Sequence, residues 1–137
     1  MYKTIYLFVA IFVTSCLAFW QQSVGVKGIL MCNDKPLINA KIKLWDKDKT
    51  GKDGELAAVK TDSNGKYEIS GGAESFFLKV VIMKIYHSCG DSTCEHIVDF
   101  EIPNEYITRT NEVKKWLNAY TMNMEGKFNN EKRSCFN

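Results

Sequence analysis

Proline is scarce, with two residues in a chain of 137, and the nine glycines are scattered rather than gathered into a flexible tract. No low-complexity segment, linker composition or repeat of solenoid length interrupts the chain, which leaves room for one domain. Gly-x-Ser-x-Gly, His-Glu-x-x-His and phosphate-cradling glycine loops are all missing, so the commonest hydrolase, metalloprotease and nucleotide-enzyme motifs are excluded. No Asn-x-Ser/Thr occurs, and N-glycosylation is not expected. Neither sign of charge dominates: Lys+Arg 18 against Asp+Glu 16 gives +2. Such a balance argues against a nucleic-acid partner and against bulk attraction to acidic membranes.

One long apolar run is present, at the start. Met1 to Ala18 carries Lys3, then apolar residues from Ile5 to Val13, then the small-residue stretch that a signal peptidase cuts. This is the pattern of a secretory signal peptide over residues 1–18. A spanning helix needs roughly 20 apolar residues, and Gln21 and Gln22 close this run early. With no second run of that length, the remaining domain, 19–137, is expected to be secreted and not membrane-spanning. Loss of Lys3 leaves 17 basic against 16 acidic residues, a net charge of +1.

Secretion decides how the cysteines are read. Of five, Cys16 leaves with the signal, and Cys32, Cys89, Cys94 and Cys135 remain. An even number in an oxidising compartment points to two disulfides. His87, Cys89, Cys94 and His96 also form H-x-C-x4-C-x-H, the ligand set of a zinc site, but thiolates outside the cell oxidise, and neither metal nor cofactor is expected.

The rest reads as short strands. Val24, Val26, Gly28, Leu30 and Cys32 alternate with Gly25, Lys27, Ile29 and Met31, and Ala40, Ile42 and Leu44 with lysines and Trp45. Asn64-Gly65 between Ala58–Thr61 and Lys66–Ser70 predicts a hairpin. The apolar run Phe76 to Tyr86 is rich in β-branched and aromatic residues, which favours strand. It enters the Cys89–Cys94 loop, and Ile97 to Ile102 leaves it, so a second hairpin is expected there. Asn104 to Lys114 holds a short helix or turn. Trp116, Asn118, Tyr120, Met122 and Met124 are expected to share one strand face. Seven or eight strands at this spacing predict an antiparallel sandwich.

VKGILMCNDKPLINAKIKLWDKD, KTDSNGKYEISG, MKIYHSC, VDFEIPNEYI and a terminal EKRSC, in that order, resemble the nematode transthyretin-like family. The likeness runs over nearly all of 19–137. It implies an all-β transthyretin-type sandwich of two roughly four-stranded sheets, and a secreted protein. It also implies a Cys89–Cys94 bridge, which leaves Cys32 to Cys135. The longer loop would then supply roughly 4 to 5 kcal/mol of chain-entropy stabilisation and the shorter one little.

No catalytic residue emerges. The enzymatic branch of the wider superfamily, the hydroxyisourate hydrolases, ends in Tyr-Arg-Gly-Ser, whereas this chain ends Arg133, Ser134, Cys135, Phe136, Asn137. Asp46, Asp48, Thr50 and Gly51 imitate half of a calcium loop, but its twelfth position is Ala57 where a bidentate Glu is needed. His87 is read as bonding locally. The expected function is therefore extracellular recognition of a protein or lipid-surface partner, as a monomer; carriage of a small apolar ligand is the alternative and requires a tetramer. The binding residues are not legible, though the loops Asp46–Glu55 and Cys89–Cys94 are where recognition would sit.

Overall fold

The computed structural model describes residues 21–47, 54–74, 80–110 and 112–135. The signal segment 1–18, Phe76 to Lys79 and the calcium-like positions Asp48, Thr50 and Gly51 lie outside these. The expected sandwich is what forms, with nine strands in two sheets among the described residues. In the first, β1 (Gln21–Cys32) is central. It pairs antiparallel with β5 (Lys66–Glu74) and the two-residue β2 (Lys35–Pro36), and parallel with β8 (Trp116–Asn123). The second sheet is antiparallel in the order β4 (Glu55–Lys60), β3 (Lys41–Asp46), β6 (Val81–His87), β7 (Glu95–Ile102), β9 (Glu131–Ser134). The late helix is one 3-10 turn, Asn104–Tyr106.

Alternation places the core. Val24, Val26, Leu30 and Ile69 of one sheet face Ile42, Leu44, Val81, Met83, Ile85, Val98 and Ile102 of the other, all buried. The lysine and carboxylate positions between them fall on the outer faces, as period-two strands require.

Two expectations need correction. The Asn64-Gly65 turn exists, with Asp62 Oδ1 accepting from the N–H groups of Asn64 and Lys66 at 2.9 Å each. Its flanking strands nevertheless part company: β4 joins β3 and β5 joins β1, so the turn carries the chain from one sheet to the other. Nor do Trp116, Asn118, Tyr120, Met122 and Met124, the first four on β8 and the last just beyond it, share a face. Lys27 pairs with Asn118 but Ile29 with Thr121, so β8 has one extra residue opposite Gly28. That bulge, with Tyr120 at φ 53°, reverses the phase. Leu117 and Ala119 pack on the core before it, Met122 and Met124 after it, and Tyr120 is left 74% exposed.

Candidate functional site

The inner face of the second sheet changes character towards one end. Val98 opposite Ile85 belongs to the apolar core, whereas the next inward pair, His87 opposite His96, is polar. Three connections converge there: the turn after β1, the β6–β7 loop and the segment between β8 and β9.

Both disulfides lie at this end, and their pairing differs from the expected one. Cys32 is bonded to Cys89 and Cys94 to Cys135. The β6–β7 ladder ends at His87–His96, and the loop then turns on itself, Asp91 N–H donating to the Ser88 carbonyl at 3.1 Å, with Gly90 at φ 73°. Cys89 is thereby directed away from Cys94 and towards the end of β1, with a Cα–Cα distance of 5.6 Å to Cys32. Cys94 instead follows the β7–β9 register. One step beyond the Glu95–Ser134 pair it meets Cys135, Cα–Cα 4.3 Å. The first bridge joins the two sheets; the second pins an edge strand.

With all four cysteines of the described residues in bridges, the H-x-C-x4-C-x-H set has no thiolates to offer a metal. Its histidines serve the fold. His87 is 4% exposed, and its Nδ1 accepts the Cys89 N–H at 3.1 Å. The ring proton therefore sits on Nε2, which has no partner among the described residues. His96 stacks on it, centroids 5.5 Å apart. Its Nδ1 lies 2.7 Å from Glu131 Oε1 and its Nε2 2.9 Å from Asp91 Oδ2. A ring that donates to both carboxylates is the imidazolium; a neutral ring serves one of them.

Asp91 is the hub. Besides His96 it accepts Arg133 Nε at 2.7 Å and the N–H groups of Thr93 and Cys94 at 3.0 and 3.1 Å. The Arg133 guanidinium first, then the Thr93 N–H and His96, hold its carboxyl well below the usual carboxylate range. Asn33 N–H and Glu125 N–H both donate to Asn123 Oδ1, and Phe128 N–H to Glu131 Oε2, so the other two connections are tied as well. Between them opens a cleft of about 480 Å³, walled by Met124 and Phe128 and rimmed by Lys127, Glu125 and Arg133.

Of the two loops expected to carry recognition, Cys89–Cys94 borders this cleft, while 48–53 of the other lie outside the described residues. The partners of His96 were not anticipated. Asp91 read only as a turn residue, and Glu131 and Arg133 lie on a strand of four polar residues that has no hydrophobic period.

Burial first, and the neighbouring His96 second, push the His87 pKa below its ordinary value, with Glu131 opposing. A depressed folded pKa means that the unfolded chain binds protons more readily. Stability is full above the ordinary histidine range near 6.5 and falls as pH drops from there through the folded value. His87→Asn keeps an acceptor for the Cys89 N–H but does not titrate. Denaturant midpoints measured from pH 7 down to 5 should therefore fall less steeply in the variant; equal slopes would show that His87 is not the acid-sensitive group.

A sandwich whose loops are fixed at one end by two bridges and a carboxylate–imidazole–guanidinium network belongs to the class of small β domains stapled by disulfides. Comparison with known proteins gives the family. The profile of the transthyretin-like family matches residues 27–103, and the chain belongs to that family. It is similar to transthyretin-like protein 33 of Caenorhabditis elegans, 40% identical over 122 residues that cover 86% of this chain and 85% of that one. It is also similar to transthyretin-like protein 5, 35% identical over 83% of this chain and 84% of the other, and to transthyretin-like protein 46, 35% identical over 85% and 67%, both from the same nematode. No helix among the described residues is long and apolar enough to cross a membrane.

Proposed function

We propose that this chain is a secreted recognition or adaptor protein that binds a protein or lipid-surface partner outside the cell and performs no catalysis. The observation that carries the reading is the braced end of the sandwich. Loops already fixed by Cys32–Cys89, Cys94–Cys135 and the Asp91 network lose little conformational freedom on binding, which is what a recognition surface gains from preorganisation. Both nitrogens of His96 are engaged by carboxylates and the four cysteines of the described residues are bridged, which further supports binding rather than turnover.

For the carrier reading, the described residues offer a cavity of about 540 Å³ on the outer face of the first sheet beside the β8 bulge. Lys27, Asp62, Lys66, Glu68 and Asn118 line it together with Ile29 and the exposed Tyr120. So many charged walls suit an apolar ligand poorly. Secreted material should lack residues 1–18 by intact mass, and a pull-down from extracellular fluid and cell surfaces, run beside a lipid array, should return a protein or lipid partner. Saturable binding of one small apolar molecule with neither partner would replace the adaptor by the carrier, and hydroxyisourate hydrolysis above background would overturn both.

A further inference from the structure

The outer face of the second sheet sets like charges directly against each other. Lys41 on β3 pairs with Lys60 on β4, and Lys43 on β3 pairs with Lys84 on β6. Cross-strand like charges destabilise a sheet, so four lysines gathered in this way are not explained by the fold. Two of them are partly answered, Lys43 by Glu55 at 2.9 Å and Lys84 by Asp99 at 3.7 Å. Among the described residues Lys41 and Lys60 have no carboxylate within ion-pair reach, and both are exposed. Lys41 lies 6.0 Å from the centre of the Tyr86 ring. A depression of about 300 Å³ separates the lysines, lined by Lys41, Lys43, Glu55, Ala58, Val59 and Lys60, with the Glu55 carboxylate taken up by Lys43.

We infer that this face binds a sulfated polysaccharide lying along the β3–β4 edge, with Lys41 and Lys60 as its principal contacts. Strands stand about 4.8 Å apart and same-face residues about 7 Å apart along each, so the ammonium groups form a compact grid suited to successive anionic groups of one chain. The geometry also separates a rod-like polyanion from a flat membrane. On β4 the Glu55 carboxylate is already taken up by Lys43 at 2.9 Å, whereas β7 adds Asp99 and Glu101 to the same outer face, where an anionic bilayer would meet them but a chain held along β3 and β4 would not. Charge complementarity here is local, because the chain as a whole is almost neutral. The extracellular reading enters only in choosing which polyanion is met; binding by purified protein succeeds or fails without it.

The test is retention of the disulfide-bonded chain on immobilised heparin at rising salt. Wild type should bind and weaken with salt, because counterions are released on binding. Lys41→Gln/Lys60→Gln should lose about tenfold or more in affinity, while Lys35→Gln/Lys114→Gln, which removes the same charge elsewhere, should stay within about twofold. Because the first pair relieves repulsion, its thermal midpoint should equal or exceed that of wild type. Absence of binding at low salt, equal losses in the two variants, or a lowered midpoint in the first would overturn the proposal. So would equally tight, Lys41-dependent binding to vesicles of phosphatidylglycerol and phosphatidylcholine in equal parts, which would assign the face to a membrane.

Discussion

Replacing Cys32 and Cys89 together by alanine is expected to lower the unfolding free energy by roughly 4 kcal/mol, and replacing Cys94 and Cys135 by clearly less. Loop length does not produce this difference. Sequence separations of 57 and 41 change the closure entropy by only about 0.3 kcal/mol in the logarithmic treatment. Location does. Cys89 is buried in the core and Cys32 packs against it, so their bridge holds the first sheet to the second wherever the chain unfolds. Cys94–Cys135 ties down β9, which pairs with β7 over four residues at a sheet edge. Once unpinned, β9 can peel away while the sandwich persists, and part of the loss becomes local opening. Denaturant titration should rank the variants in this order, and proteolysis or hydrogen exchange in the second should show cleavage or loss of protection confined to 131–135. Non-reducing peptide maps should return Cys32 with Cys89. A Cys89–Cys94 peptide, or equal costs for the two double variants, would contradict this account.

The wrong pairing anticipated from the sequence has an instructive cause. Extending the β6–β7 register two steps beyond His87–His96 does set Cys89 opposite Cys94, so the hairpin by itself is compatible with the short bridge that the family resemblance implies. What redirects both cysteines is non-local: the Ser88–Asp91 turn swings one towards β1, and β9 arrives to meet the other. Strand β9 could not be read, since Glu131, Lys132, Arg133 and Ser134 have no apolar alternation. The strands that were legible, such as β3 with Ile42 and Leu44 inward, are those that bury one face. The Asp91–His96–Glu131–Arg133 network was illegible for the same reason as β9. Its members lie up to 42 residues apart and become neighbours through the edge pairing alone. The β8 bulge escaped because Asn118 Oδ1 accepting the Tyr120 N–H, at 2.9 Å, stabilises a left-handed residue that no period reveals.

Gly65→Ala is expected to cost roughly 3 kcal/mol or more, through two separable effects. The first is conformational. At φ 75° an L-residue with a Cβ pays about 1 to 2 kcal/mol. The second is the close approach of the turn to β1: a Cβ at position 65 would be driven into the Leu30 carbonyl oxygen, a backbone atom fixed by the core. Leu30 is fully buried, its N–H donates to the Gly65 carbonyl at 2.8 Å, and its carbonyl accepts the Leu37 N–H at 2.9 Å. Making room for the methyl group means moving β1 or the turn and stretching those bonds, about 1 kcal/mol for each one lost. Gly90 supplies the control. Its φ is 73°, nearly the same, but the nearest atom to its hypothetical Cβ is Glu125 Cγ at 3.9 Å, at the end of a flexible side chain. Gly90→Ala should therefore show the conformational cost alone, near 1 kcal/mol. Denaturant midpoints of the two variants at unchanged m-value would measure the difference. If Gly65→Ala proves no more costly than Gly90→Ala, the turn that passes the chain between the sheets does not press against Leu30, and the contact between Leu30 and Gly65 is not what fixes the crossover.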